Sequence, residues 1–236
     1  DDDVIITPSY EEISYLDSEE LEPYYQDVDM DNLLDSLQTL MFQSHKKYPT
    51  YGEIRNQFAY ADYNPNKRDE ILCFYSRESM PSSWDNGVTY NREHVWPKSL
   101  SNGLFSYDKM NENGDYNKYQ GAGSDLHHIR PVKASINEER GNRKFGVYLP
   151  NQDVRGDCAR IIAYLYVHYS SYLHGSGPSR DDYVGELEIE KVFVNKSTLI
   201  SWNILDPVDD LERNRNEYIY RYQGNRNPFI DHPEWM

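Results

Sequence analysis

The chain has 236 residues, 38% hydrophobic and 14% aromatic, with 40 Asp or Glu against 24 Lys or Arg and a formal net charge of −16. That length supports one large domain with its own core, and the aromatic content excludes a wholly disordered chain. The longest apolar run, Ile161 to Val167, is seven residues, too short for a membrane-spanning helix. The charge is unevenly placed. Residues 1–45 hold 13 of the acids and no Lys or Arg, which leaves 27 acids and 24 bases, a net of −3, for residues 46–236. The total disfavours a polyanionic partner, whereas the near-neutral body does not.

In chain order, residues 1–28 combine acids with Pro8, Pro23 and several tyrosines, and read as an acidic, partly flexible lead-in. Asp29 to Lys46 has the spacing of a helix, with Asp31 as its cap and Leu33, Leu34, Leu37, Leu40 and Met41 as its apolar face. Glu70 to Tyr75 reads as a strand. Pro97 to Ser124 is a long aperiodic stretch, and a loop of that length in a compact domain usually carries function. Asp125 to Arg130 reads as a strand ended by Pro131, followed by a helix from Val132 to Arg140 that Gly141 stops. Arg155 to Tyr169 is an apolar helix with a buried stripe of Ala159, Ile162, Ala163, Tyr166 and Val167. Leu187 to Val194 fits either a strand or a helix. Val208 to Gln223 is a charged helix, and Gly224 to Met236 is a turn-rich tail. One mixed α+β domain over residues 29–236 is the economical architecture. Cys73 and Cys158 are too few to define a compartment and are expected as buried free thiols. The chain begins at Asp1 without Met, so an upstream segment is expected to have been removed.

Three segments concentrate the groups that metal-assisted phosphodiester hydrolysis requires: Asn91-Arg92-Glu93-His94-Val95-Trp96-Pro97, Ser124-Asp125-Leu126-His127-His128-Ile129-Arg130-Pro131, and Asn137-Glu138-Glu139-Arg140-Gly141-Asn142. The reaction needs a base for the attacking water and positive charge beside the phosphoryl and leaving oxygens. A neutral imidazole suits the first role. A hard cation held by one carboxylate and one amide oxygen suits the second, and Glu93 with Asn137 supplies that pair. Adjacent residues on a regular strand face opposite sides, so Glu93 and His94 share a site only where the strand ends or bulges.

These blocks, together with Gly156-Asp157, Ala159-Arg160 and Gln223 to Pro233, resemble the endonuclease I family, secreted or periplasmic nucleases of the ββα-metal (His-Me finger) superfamily. The resemblance runs in order from about Tyr90 to Trp235. It implies a ββα-metal motif at about residues 89–142 within a mixed α+β domain. It also implies His94 as general base, Glu93 and Asn137 as ligands of one Mg²⁺ (replaceable by Mn²⁺ or Ca²⁺), and 5′-phosphate products from DNA, RNA or both. The protein would be a secreted, periplasmic or cell-surface monomer. The family's phosphate-binding arginine between the two strands has no counterpart, since Pro97 to Asp125 contains Lys98, Lys109 and Lys118 but no Arg. Arg130 or a lysine is the expected substitute, with His128, Arg140 and Asn142 as further substrate or transition-state contacts.

Plainer readings stand beside these. His94 next to Trp96 also suits a core histidine, and Glu93 an ion-pair partner of Arg92 or Arg140. Asn137 suits an exposed helix position, and Asn142 a helix-terminal turn. One of His127 and His128 is expected in the core and the other, His128, towards the site. Arg160 is expected in a buried ion pair with Asp157 or Asp231. Asn195-Lys196-Ser197 matches a short glycosylation pattern. The rival functions are a zinc hydrolase built on Asp125, His127 and His128, and an inactive binding protein on the same scaffold. The acidic lead-in is expected either to space the domain from an anchor or to lie over a basic groove as a polyanion mimic.

Overall fold

The computed structural model describes residues 18–105, 115–169 and 187–236. Helices α1 (Ser18–Tyr25), α2 (Leu33–Ser44) and α3 (Ile54–Ala61) precede a two-stranded sheet of β1 (Glu70–Leu72) and β2 (Ser79–Pro81). A second antiparallel sheet pairs β3 (Tyr90–His94) with β4 (Ile129–Lys133), and α4 (Ala134–Arg140) follows directly. Then come α5 (Arg155–Tyr169), α6 (Ile189–Val192), α7 (Lys196–Leu205), α8 (Asp210–Gln223) and α9 (Pro228–Asp231). The fold is mixed α+β, with helices surrounding two small sheets, as the sequence led one to expect.

Helix α5 is the hub, packed against α2, α7 and α9. Its limits match the sequence expectation, but a single buried stripe does not describe it: Gly156 to Leu165 is buried without interruption. A helix enclosed on all sides must neutralise its polar residues internally. Arg160 does so by a bidentate pair with Glu212 and by donating Nη1 to Asn203 Oδ1 and Asp206 O, both at 2.9 Å. Asp157 lies 3.6 Å from Arg160 and 3.2 Å from Arg77. Asp231, the other expected partner, instead pairs with Arg226 at 2.7 Å. Gly156 is required by this packing, because a Cβ there would stand 2.1 Å from the Asp206 carbonyl.

Two local expectations are corrected, and one left open resolves to helix. Asp29, not Asp31, accepts the capping bond, from Asp31 N at 3.0 Å, and it caps a 3₁₀ turn that precedes α2. The second strand starts four residues later than expected and runs through Pro131. That proline lies opposite Arg92, and its carbonyl accepts from Phe74 N at 2.9 Å, away from β3. A missing N–H costs nothing at such a position, so Pro131 neither ends the strand nor opens the helix, and α4 starts at Ala134. Leu187 to Val194 resolves into the single turn α6, bridged to the chain by Phe193 against Phe145.

Within the expected lead-in, residues 18–25 form α1, which is held against the body. Tyr25 OH donates to Asp231 Oδ2 at 2.6 Å, Arg226 N donates to Tyr24 OH at 3.1 Å, and the Tyr25 ring meets Trp235 edge-on. Helix α1 therefore docks on the C-terminal tail; residues 1–17 lie outside the described part. Cys73, just past β1, and Cys158, in α5, are both buried free thiols. Asn195 caps α7 by accepting from Thr198 N at 2.8 Å. Among the described residues, no helix is long and apolar enough to cross a membrane.

Candidate active site

Strand β3 ends at His94, and a pocket of about 540 Å³ wraps around that end. Arg92, Glu93 and His94 all line it, so the end of the strand, rather than a bulge, lets neighbouring residues share one cavity. Asn137 and Arg140 enter from α4, Gly141 and Asn142 from the turn after it, and Pro97, Lys98 and Ser99 from the turn after β3. The β3–β4–α4 succession is the ββα arrangement that the resemblance implies.

His94 is 8% exposed, and its Nε2 lies 3.1 Å from the carbonyl oxygen of Gly123. A carbonyl only accepts, so Nε2 carries the hydrogen, and the lone pair of the neutral ring is on Nδ1. Burial holds this imidazole well below its ordinary pKa, with His128, Lys98 and Arg92 adding to the effect and the Gly123 carbonyl opposing it. The ring is stacked with Tyr51 at 5.7 Å. The long loop before β4 thus supplies the acceptor that sets the histidine's tautomer.

Glu93 is 5% exposed and lies 3.3 Å from Arg140 Nη1, and it accepts from Tyr75 OH at 2.9 Å. Burial nevertheless pushes its pKa up to about 7, against the lowering effects of Arg140, Tyr75, the His94 amide and Asn137. A buried carboxylate still short of positive charge is what a divalent cation would satisfy. The Asn137 side-chain amide donates to this carboxylate, and both residues line the open pocket, so the site offers a carboxylate and an amide oxygen, a donor set that would suit a hard cation. The residues present fit that group.

The expected substrate contacts divide. Asn142 is exposed on the pocket wall. Arg140 is 1% exposed, and it also donates to the carbonyl of Val95 at 2.7 Å; it braces Glu93 and the β3 end. Arg130 does not reach the pocket. It faces Glu93 across the strand register, but its guanidinium pairs with Asp62 at 2.9 Å and packs 4.0 Å from the Phe74 ring. His128 is wholly buried behind the site, its Nε2 3.1 Å from the backbone of Trp96 and its ring edge-on to His94 at 5.1 Å. His127 is also buried, with Nε2 3.2 Å from Asn225 O. Both histidines are therefore core residues, with pKa values lowered by burial to about 3 for His127 and about 4 for His128. Lys98 is in the pocket. Lys118 is 84% exposed beside Asp115 and does not line it, and Lys109 lies outside the described residues. Arg92, to which sequence spacing assigned no function, also lines the pocket.

The zinc constellation of Asp125, His127 and His128 does not form. Among the described residues, the group with metal-compatible spacing is His45, Asp125 and His168. Asp125 Oδ1 already accepts from His127 N and Gln223 Nε2, both at 2.9 Å, and Oδ2 from Tyr164 and Tyr169, both at 2.7 Å. That carboxylate is saturated and ties the turn before β4 to α5 and the tail. Gln223 Oε1 also accepts from Leu126 N at 2.8 Å, which fixes the turn from a second side.

The endonuclease I family model matches residues 10–149 and 147–234. An extracellular ribonuclease of Bacillus subtilis is 36% identical over 79% of this chain and 67% of its own length. An extracellular ribonuclease of Bacillus amyloliquefaciens is 32% identical over 92% of this chain and 78% of its own. A periplasmic deoxyribonuclease of Aeromonas hydrophila is 26% identical over 72% and 68%. The chain belongs to the endonuclease I family and is a nuclease.

Proposed function

We propose that this nuclease is a secreted, metal-dependent endonuclease without sequence specificity, with His94 as its general base. The observation that carries the reading is the His94 Nε2–Gly123 contact beside the Glu93–Asn137 pair in one pocket: a histidine of fixed tautomer shares the cavity with a carboxylate and an amide that would hold a cation. His94 takes a proton from water as the water oxygen bonds to phosphorus. The bond from phosphorus to the 3′-oxygen breaks, and the departing 3′-oxygen takes a proton from solvent water, leaving a 5′-phosphate and a 3′-hydroxyl. Glu93 and Asn137 would hold one Mg²⁺, which when bound supplies charge stabilisation to the phosphorane and the leaving 3′-oxygen. Lys98, half-buried four residues after His94, takes the phosphate-binding role expected of a lysine or of Arg130. Arg140 keeps Glu93 in place and largely out of water, and Asn142 contacts substrate at the rim.

The substrate is DNA, RNA or both. The relatives' names include a deoxyribonuclease and ribonucleases, and they are extracellular or periplasmic, in keeping with secretion. The working unit is read as a monomer. The test is a plasmid digest run beside an RNA digest, stripped with EDTA and then given Mg²⁺ or Zn²⁺. Recovery with Mg²⁺ supports the reading. Recovery with Zn²⁺ alone favours a zinc hydrolase, and no cleavage under any condition favours an inactive scaffold.

A further inference from the structure

The pocket that holds Glu93 and His94 is also rich in aromatic side chains. Tyr51, Trp84, Arg92 and Tyr116 line it. The Arg92 guanidinium carbon lies 3.8 Å from the Tyr51 ring centroid and 5.2 Å from that of Trp84, and Arg92 Nη1 donates to Tyr51 O. Tyr116 meets Tyr51 edge-on at 6.2 Å and is 47% exposed. The wall is built rigidly. Asp85, next to Trp84, accepts from Val88 N at 3.0 Å, Thr89 N at 2.9 Å and Thr89 Oγ1 at 2.6 Å. Asn86 and Gly87 turn the chain at φ +61° and +85°, the left-handed pair that a tight Asn-Gly turn demands. Trp84 also packs edge-on to Tyr90 of β3 at 5.3 Å.

A pocket of about 540 Å³ exceeds what one phosphodiester group fills and falls in the range that encloses a whole small ligand. Bases in a duplex hide their faces in the stack and show only their edges. Aromatic rings inside a catalytic pocket therefore gain base contact only from an unstacked nucleotide, the recognition mode of single-stranded nucleic acid. A planar guanidinium packed on the Tyr51 ring, with Nη1 also 3.3 Å from Asn117 Oδ1, is oriented in advance for a phosphate and loses little entropy on pairing.

We propose that Trp84, Tyr116 and Arg92 form a subsite for the nucleotide flanking the scissile bond, and that single-stranded nucleic acid is the substrate class it serves. The base packs on Trp84 and Tyr116, and the adjoining phosphate pairs with Arg92. Tyr51 positions both Arg92 and His94, which couples the subsite to the catalytic histidine. The proposal rests on the reading of Glu93 and His94 as the catalytic centre.

The test measures binding in a His94→Ala background, where cleavage does not interfere, using a fluorescein-labelled single-stranded oligonucleotide and its duplex, as DNA and as RNA. Adding Trp84→Ala or Tyr116→Ala lowers single-strand affinity about tenfold, and the ratio of single-strand to duplex affinity falls by a similar factor. Trp84→Phe restores most of the loss. Arg92→Ala reduces the salt dependence of binding by about one phosphate contact. Tyr116 is exposed enough for its truncation to leave the fold intact, so a folding failure of Trp84→Ala does not block the test. Equal losses on single strand and duplex, or no loss on either, overturn the proposal. Cleavage by His94→Ala itself would instead strike the catalytic reading, and the two failures are separate.

Discussion

Glu93 and Arg140 face each other at 3.3 Å with their side chains 7% and 1% exposed, an ion pair closed to water at the floor of an open pocket. Arg140 is one helical turn beyond Asn137, so α4 presents both the brace for the carboxylate and the second oxygen donor. Removing the cation while keeping the bulk, as in Arg140→Met, leaves burial to act on Glu93 without its chief opposing charge. Its pKa rises further, and the pH at which Mg²⁺ or Mn²⁺ binding is half-maximal moves up by about one unit. Calorimetric titrations across pH measure the shift. An unmoved midpoint shows that Arg140 does not govern the carboxylate.

The same pair makes the two obvious substitutions of Glu93 unequal. Glu93→Ala strands a buried guanidinium, a change that typically costs about 3–5 kcal/mol. Glu93→Gln keeps an acceptor for Tyr75 and restores part of that loss. Both variants lose nuclease activity. Urea denaturation in the absence of metal separates them, with the alanine variant less stable than the glutamine variant.

With a folded pKa of about 7, above its ordinary 4.5, Glu93 keeps its proton over a range where the unfolded chain has released it. Its contribution to stability is therefore full below about pH 4.5 and is lost as pH rises to about 7. The histidines lowered by burial act in the opposite direction, so the effect is read as a difference. The stability of the native protein minus that of Glu93→Gln falls by about 3 kcal/mol between about pH 4.5 and 7 and is flat above. Saturating Mg²⁺ reduces the slope by holding the carboxylate ionised. A difference that does not vary with pH contradicts the raised pKa.

Asp125 has a structural role that its place inside the histidine-bearing block Ser124 to Pro131 concealed. Its four accepted hydrogen bonds join the turn before β4 to Tyr164, Tyr169 and Gln223. Tyr164→Phe removes one of them and also the partner of Asn225 Nδ2; it lowers stability by about 1–3 kcal/mol. Mg²⁺ affinity stays unchanged, because no pocket residue is touched. Chemical denaturation and metal titration of the same sample check both halves.

What the sequence made legible was chemistry local to the chain. Glu93 and His94 are adjacent, Asn137 lies on the next helix, and the limits of α5 match expectation. What it concealed was long-range. Arg130 is drawn to Asp62, and Arg160 to Glu212, by neighbours that only the folded chain brings near. Two features displace β4 from the expected range: Pro131 is tolerated inside the strand because it faces away from β3, and residues 126–128 form a turn instead of extended chain. That turn, and not strand alternation, sets the direction of His128 and buries it behind the site. Arg92 escaped notice because strand alternation does not anticipate a cavity that wraps a strand end.

The most direct test of the account is plasmid nicking by His94→Ala in saturating Mg²⁺, with the melting temperature recorded on the same preparation. If His94 is the general base, the variant is folded, with nicking lost and partly restored by added imidazole. Undiminished nicking by the folded variant would contradict it.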